Sequence, residues 1–188
     1  MRWQQLFADL QAQFEQEEAA GEQAEAASRA RSEIGAVRLA DRLRGAVGST
    51  VLLQCAGAGQ VSGELVDVGP DWLLLVDDLG RDVLCAGSAV RSVAGLTRRT
   101  GVAEDGRGVI AAWDLRRALR ALGRDRAAVQ VVLDDGGMLS GTLDRVGADY
   151  VELAEHAVDA PRRAETVQGV RAVVIGTIAV VRTVTPGM

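Results

Sequence analysis

Apolar residues recur at helical spacing at the start of the chain and at strand spacing later. Trp3, Leu6, Phe7, Leu10 and Phe14 share one face of a segment otherwise built from Gln, Glu, Asp and Ala, which predicts an amphipathic helix. Past Gly21 the pattern thins through EQAEAASRAR. It returns at Ala36, Leu39, Ala40, Leu43 and Val47 before Gly48, predicting a second helix that stops ahead of the first strand. From Thr50 the period shortens: VLLQCAG, VSGELVDVG, DWLLLVDD, DVLCAG and AVRSVAGL read as five short strands separated by Gly, Pro and Asp. The polar, glycine-rich TRRTGVAEDGRG, Thr97 to Gly108, reads as a linker. Beyond it a helix with Ala111, Leu115, Ala118, Leu119 and Leu122 on its apolar face leads into AVQVVLDD, LSGTLDRVG, DYVELAE, VRAVVIG and IAVVRTV.

The second unit copies the first. VSGELVDVGPDW, Val61 to Trp72, returns as LSGTLDRVGADY, Leu139 to Tyr150, and the chain is a duplication. Gly63 and Gly141 interrupt strands that otherwise alternate, which marks a sharp bend or a close backbone approach. Val68-Gly69-Pro70-Asp71 and Val146-Gly147-Ala148-Asp149 supply a turn, with Gly free to take positive φ and Asp able to bond its own backbone. Trp72 and Tyr150 open the next strand and read as core aromatics, weighed against a base-stacking role. Aligning VRSV with VRTV puts 13 extra residues into the second unit, within EHAVDAPRRAETVQG. That loop, 154–169, carries Arg162 and Arg163 and is expected to be a partner surface. The resulting organisation is a helical segment at 1–33, a helix and strands at 34–96, a linker at 97–108, and a second helix and strands at 109–188.

A helix followed by five bent strands, with G-x-L in the second and a closing V-R-x-V, resembles the Sm-like fold. The resemblance covers roughly residues 36–96 and 112–185. It implies two tandem five-stranded barrels, mainly β with α, each led by a helix. The best-known members assemble into rings and bind single-stranded RNA. Their RNA-contacting signature has an Asp six residues after the strand-two glycine, a polar residue further on, and Arg-Gly near the last turn; here those places hold Gly69 or Gly147, Leu73 or Val151, and no Arg-Gly. The fold is therefore carried over and the binding residues are not.

Charge is what bears on partners. The net charge of −5 argues against a dedicated nucleic-acid binder, but residues 1–33 carry seven acids against three Arg, while 91–126 carry nine Arg against four acids. All 21 basic residues are Arg, and Lys and Asn are absent, which is the mark of GC-rich coding as in bacteria. Arg116, Arg117, Arg120 and Arg124 cluster on one side of the helix, with Arg98 and Arg99 upstream; they form the candidate nucleic-acid surface, weighed against an ordinary solvated face. Cys55 and Cys85 lack metal-ligand spacing and read as buried thiols, and His156 has no nucleophile or carboxylate tied to it by spacing. No catalytic group, metal or cofactor is expected. The longest apolar run, AVVIGTIAVV, is too short for a membrane helix, and the chain opens on an acidic amphipathic segment rather than a signal peptide, so a cytoplasmic protein with no membrane partner is expected.

The sequence thus reads as a non-enzymatic binding or scaffold protein acting through protein contacts, with gene regulation as its setting. The alternative is an RNA- or DNA-binding regulator using the Arg-rich helix. Trp3, Leu6, Phe7, Leu10 and Phe14 would leave an apolar stripe exposed on a monomer, so they are expected to dock on another protein or a second copy, as in a homodimer. Glu15, Glu17 and Glu18 would then face the helix at 116–124.

Overall fold

The computed structural model describes residues 34–101, 113–157 and 168–184, together with 16, 21–23, 25, 26, 28, 29, 31 and 32. The described residues before 34 have helical backbone and are exposed. Trp3, Leu6, Phe7, Leu10 and Phe14, the acids Glu15, Glu17 and Glu18, and Arg162 and Arg163 lie outside the described residues. The chain divides into two units, 1–38 and 39–188.

The second unit is mainly β. It contains α1 (Leu39–Arg44), β1 (Thr50–Cys55), β2 (Gly59–Val68), β3 (Trp72–Val76), β4 (Asp82–Ala86), β5 (Val90–Ala94), α2 (Leu115–Asp125), β6 (Ala128–Leu133), β7 (Met138–Val146), β8 (Tyr150–Glu155), β9 (Gly169–Val174) and β10 (Ile178–Thr183). All ten strands join one antiparallel sheet in the order β5-β1-β2-β3-β4-β10-β6-β7-β8-β9. The first five strands and the second five therefore follow the same local order. The join is the pairing of β4 with β10: Val83 faces Arg182, Leu84 faces Val181 and Cys85 faces Val180. Asp82 N also donates to Thr183 Oγ1 at 3.0 Å.

The burial pattern follows from position in this order. Strand β1 alternates strictly, exposed then buried, because one face meets the interior and the other meets water. At the middle of the sheet the alternation disappears: Trp72, Leu73 and Leu75 of β3, Val83 to Ala86 of β4, and Ile178 to Val181 of β10 are buried. Strands covered on both faces read as continuous apolar runs, as WLLLV, VLCA and IAVV do here. The interior closes around Val51, Leu53, Leu65, Leu75, Val129, Val131, Leu143 and Leu153.

The repeated stretch does the same thing twice. Gly63 pairs with Val51 as Gly141 pairs with Val129, and Trp72 pairs with Ala86 as Tyr150 pairs with Val174. At Gly63 a Cβ would lie 2.5 Å from the Val76 oxygen, and at Gly141 it would collide with the Ala154 oxygen. Close backbone approach across the bent strand is thus what excludes a side chain. The turn glycines depart from expectation: Gly69 and Gly147 are not at positive φ. They are bare because the Trp72 and Tyr150 rings lie against them, where a Cβ would overlap the ring. Each turn is closed by a bond from the glycine N–H to the aromatic residue's carbonyl, 2.9 Å and 2.8 Å. Helix α1 ends at Arg44, earlier than the spacing through Val47 predicts, and Gly48, at φ +83, closes the turns that follow it.

Pairing also corrects the alignment of the closing strands. Val93 sits opposite Leu53 and Val181 opposite Val131, so Val93 and Val181 are equivalent and Arg91 matches Ala179 rather than Arg182. The hairpin acids are turn formers: Asp77 accepts from Leu79 N and Arg81 N, and Asp135 from Gly137 N. Burial opposes the Asp77 charge, but the Arg81 side chain and these N–H groups outweigh it and hold the carboxyl below its usual range.

Adding one methyl at position 141 forces the β8 backbone away. Gly141→Ala should cost about 1–3 kcal/mol in urea denaturation, the range for overpacking. Gly176→Ala, where a Cβ meets nothing within 4 Å, should be neutral.

Candidate functional site

Helix α2 crosses the join between the repeats. Asp114 is its N-cap, in extended conformation, and accepts from Arg117 N at 2.8 Å. At the other end Arg126 takes a left-handed conformation, φ 50. Leu115 and Leu119 are buried, with Ala118 and Leu122 packed against the core. Helical periodicity then leaves Arg116, Arg117, Arg120 and Arg124 together on the other side. They line a shallow depression of about 430 Å³ with Trp113, Asp114 and Ala121.

Like charges this close repel unless something offsets them. Asp114 lies 4.0 Å from Arg116 Nε, and the Arg117 guanidinium sits 4.6 Å from the centre of the Trp113 ring. Among the described residues no carboxylate forms an ion pair with Arg120 or Arg124. Arg98 and Arg99 are exposed but belong elsewhere. They follow β5 in a run that packs on α1, where Arg42 Nη2 donates to Thr97 O at 2.9 Å and Gly101 N to Asp41 O at 2.8 Å. The six candidate arginines therefore divide into a set of four and a pair.

Trp113 is the site residue that periodicity misses, because it precedes the helix and lies off the apolar stripe. Its carbonyl accepts from Trp72 Nε1 at 2.7 Å, while its own Nε1 is buried without a hydrogen-bond partner. Asp71 does not bond its own turn as expected; its Oδ1 reaches 44 residues along the chain to accept from Leu115 N at 2.7 Å. Turn residues of the first repeat thus hold the helix that opens the second. Beneath that helix Trp72, Leu74, Leu84, Ala118, Leu122 and Val181 line an apolar cleft of about 170 Å³.

The other reactive side chains are occupied inside the fold. His156 is buried: its Nδ1 lies 2.9 Å from the Ala157 oxygen and must carry the proton there, so Nε2 accepts from Thr142 Oγ1 at 2.8 Å. Cys55 and Cys85 are buried, and Cys85 is held as the thiol by its hydrogen bond with Cys55 and by burial. Among the described residues no group of three or more His, Cys, Asp or Glu could hold a metal ion. No described helix is long and apolar enough to cross a membrane. No protein-family model and no curated protein matches the chain.

Removing the Asp71 carboxylate should loosen α2 at its first turn. Asp71→Ala is expected to destabilise the chain by about 0.5–2 kcal/mol, as loss of a helix cap does. Asp149→Ala, the same change in the second repeat, should be close to neutral in the same urea titration.

Proposed function

We propose that the chain is a tandem Sm-like protein, two small barrels joined edge to edge, and that it works as a non-enzymatic binding or scaffold protein through protein contacts in gene regulation. The observation carrying this reading is the β4–β10 pairing, an association surface already used inside the chain. The same sheet ends on exposed apolar side chains at Tyr150, Val170 and Val174, which is the composition of a contact surface rather than a solvated rim. His156, Cys55 and Cys85 are buried and engaged internally, away from solvent.

One observation favours a second reading, an RNA- or DNA-binding regulator. Arg116, Arg117, Arg120 and Arg124 converge on one face, a donor set suited to phosphate oxygens. The net charge of −5 and the missing family signature weigh against high affinity.

Recovery of the full chain from its native cell, with and without nuclease, separates the readings. Protein partners that survive nuclease support the scaffold, and partners lost with the nucleic acid support the alternative. In about 150 mM salt, single-stranded RNA should bind no tighter than the micromolar range of non-specific contact. Nanomolar binding abolished by Arg116→Ala/Arg120→Ala would replace the scaffold with the regulator.

A further inference from the structure

The two repeats differ where the bent strand parts from the strand that follows it. In the first, β2 pairs with β1 from Gly59 to Glu64 and with β3 from Glu64 onward, and β3 stops at Val76. Asp77 then closes a tight turn, its N–H bonded to the Arg81 carbonyl and its carboxylate to Leu79 N and Arg81 N. In the second, the chain runs on beside β7 past Glu155, and His156 N donates to Ser140 O at 3.2 Å. Its imidazole Nε2 lies 2.8 Å from Thr142 Oγ1. Register makes Gly63 equivalent to Gly141, so Ser62 stands for Ser140 and Glu64 for Thr142. One histidine thus covers in the second repeat what the first leaves open.

Burial records the difference: Thr142 is buried and Glu64 is exposed. The uncovered place is a groove of about 560 Å³, bounded by Ser62, Glu64, Asp77, Asp78, Arg81 and Arg182, and its size is that of a small-ligand site. Asp77 and Arg81 neutralise each other at 2.7 Å, as Glu155 and Arg171 do in the second repeat. Among the described residues Glu64, Asp78 and the half-buried Arg182 form no ion pair. The Ser140 carbonyl turns away from β6 to reach His156, and the same register turns the Ser62 carbonyl away from β1 toward the groove. Thr142 can donate to a neutral ring of its own chain, whereas a carboxylate at the same place accepts from a ring N–H. The first repeat therefore keeps the histidine-binding frame, exchanges hydroxyl for carboxylate, and adds a guanidinium.

We propose that this groove binds a histidine bearing a free α-carboxylate, either the amino acid itself or the last residue of a peptide. The ring takes the place of the His156 ring and donates to Glu64. The main-chain nitrogen donates to the Ser62 carbonyl as His156 N does to Ser140. The carboxylate has no counterpart in the second repeat, where the chain continues to Ala157; in the first it pairs with Arg182, whose planar fork matches a carboxylate. Every polar group of the ligand then has a partner. This ligand goes beyond the scaffold reading and does not depend on it.

Calorimetric titration of the full chain at neutral pH with histidine, N-acetylhistidine, histidinamide and leucine tests it. Histidine or N-acetylhistidine should saturate one site with a Kd of about 1 mM or tighter. The free amino acid binds more tightly if it is the ligand, and the acetylated form if a peptide end is. Histidinamide, which lacks the carboxylate, and leucine, which lacks the ring, should each bind about tenfold more weakly or worse, the loss of one bond to a charged group. Glu64→Gln and Arg182→Met should each weaken histidine binding by about the same factor. If a variant does not fold, amide shifts of the wild-type chain decide: histidine should move residues 62–64 and leave the equivalent 140–142 in place. No saturable binding of either histidine form below about 10 mM, equal binding of histidinamide or leucine, unchanged affinity in either folded variant, or shifts that spare 62–64 overturns the proposal.

Discussion

Strand pairing between β4 and β10 organises this protein. A five-stranded repeat on its own would expose two edges, each a row of unsatisfied N–H and C=O groups. Pairing one repeat to the next removes two of the four edges and buries Val83, Leu84, Cys85 and Ile178 to Val181. Because these strands are then enclosed on both faces, their sequences lose the alternation seen in β1. Asp71 and Trp72 of one repeat bond the start of α2, at Leu115 N and the Trp113 carbonyl, where the helix crosses the join.

Duplication followed by divergence is legible in what lies over each copy. The turn at 69–72 and the turn at 147–150 have the same backbone bond and the same ring against glycine. In the first repeat the aromatic N–H donates to Trp113 and the Asp bonds Leu115, both belonging to the following repeat. In the second, Tyr150 remains substantially exposed. Identical local chemistry thus serves as interior in one place and surface in another, according to whether a neighbour arrives.

Electrostatics separates the faces of α2. Its apolar side is committed to the core, and its arginines are left on the solvent side where, among the described residues, Asp114 and the Trp113 ring offset them. That concentration of charge needs an anion or water to screen it, and water suffices for a surface helix. The buried polar groups show the opposite economy: Thr142 and His156 satisfy each other, and the second imidazole nitrogen is bonded to a carbonyl. Most buried polar groups find a partner, and among the described residues the Trp113 N–H is the exception.

Strands, turns and the existence of two repeats were legible along the chain, because alternation, strand-interior glycine and Asp-rich turns are consequences of neighbours a few residues away. Leu115 and Leu119 fell on the core side of α2 as their spacing requires, and Arg116, Arg117, Arg120 and Arg124 opposite them. Three-dimensional packing supplied the remainder. Nothing local distinguishes Asp71, which reaches Leu115, from Asp149; nothing local reveals that Val93 rather than Arg91 is the landmark of the closing strand. Gly69 looked like a residue needed for its backbone angle and is needed for the space beneath an indole. The continuous apolar runs VLCA and IAVV show that β4 and β10 are enclosed but not which strand each meets: backbone N–H and C=O groups are the same in every residue, so the pairing of these two edges is decided by the assembled shapes.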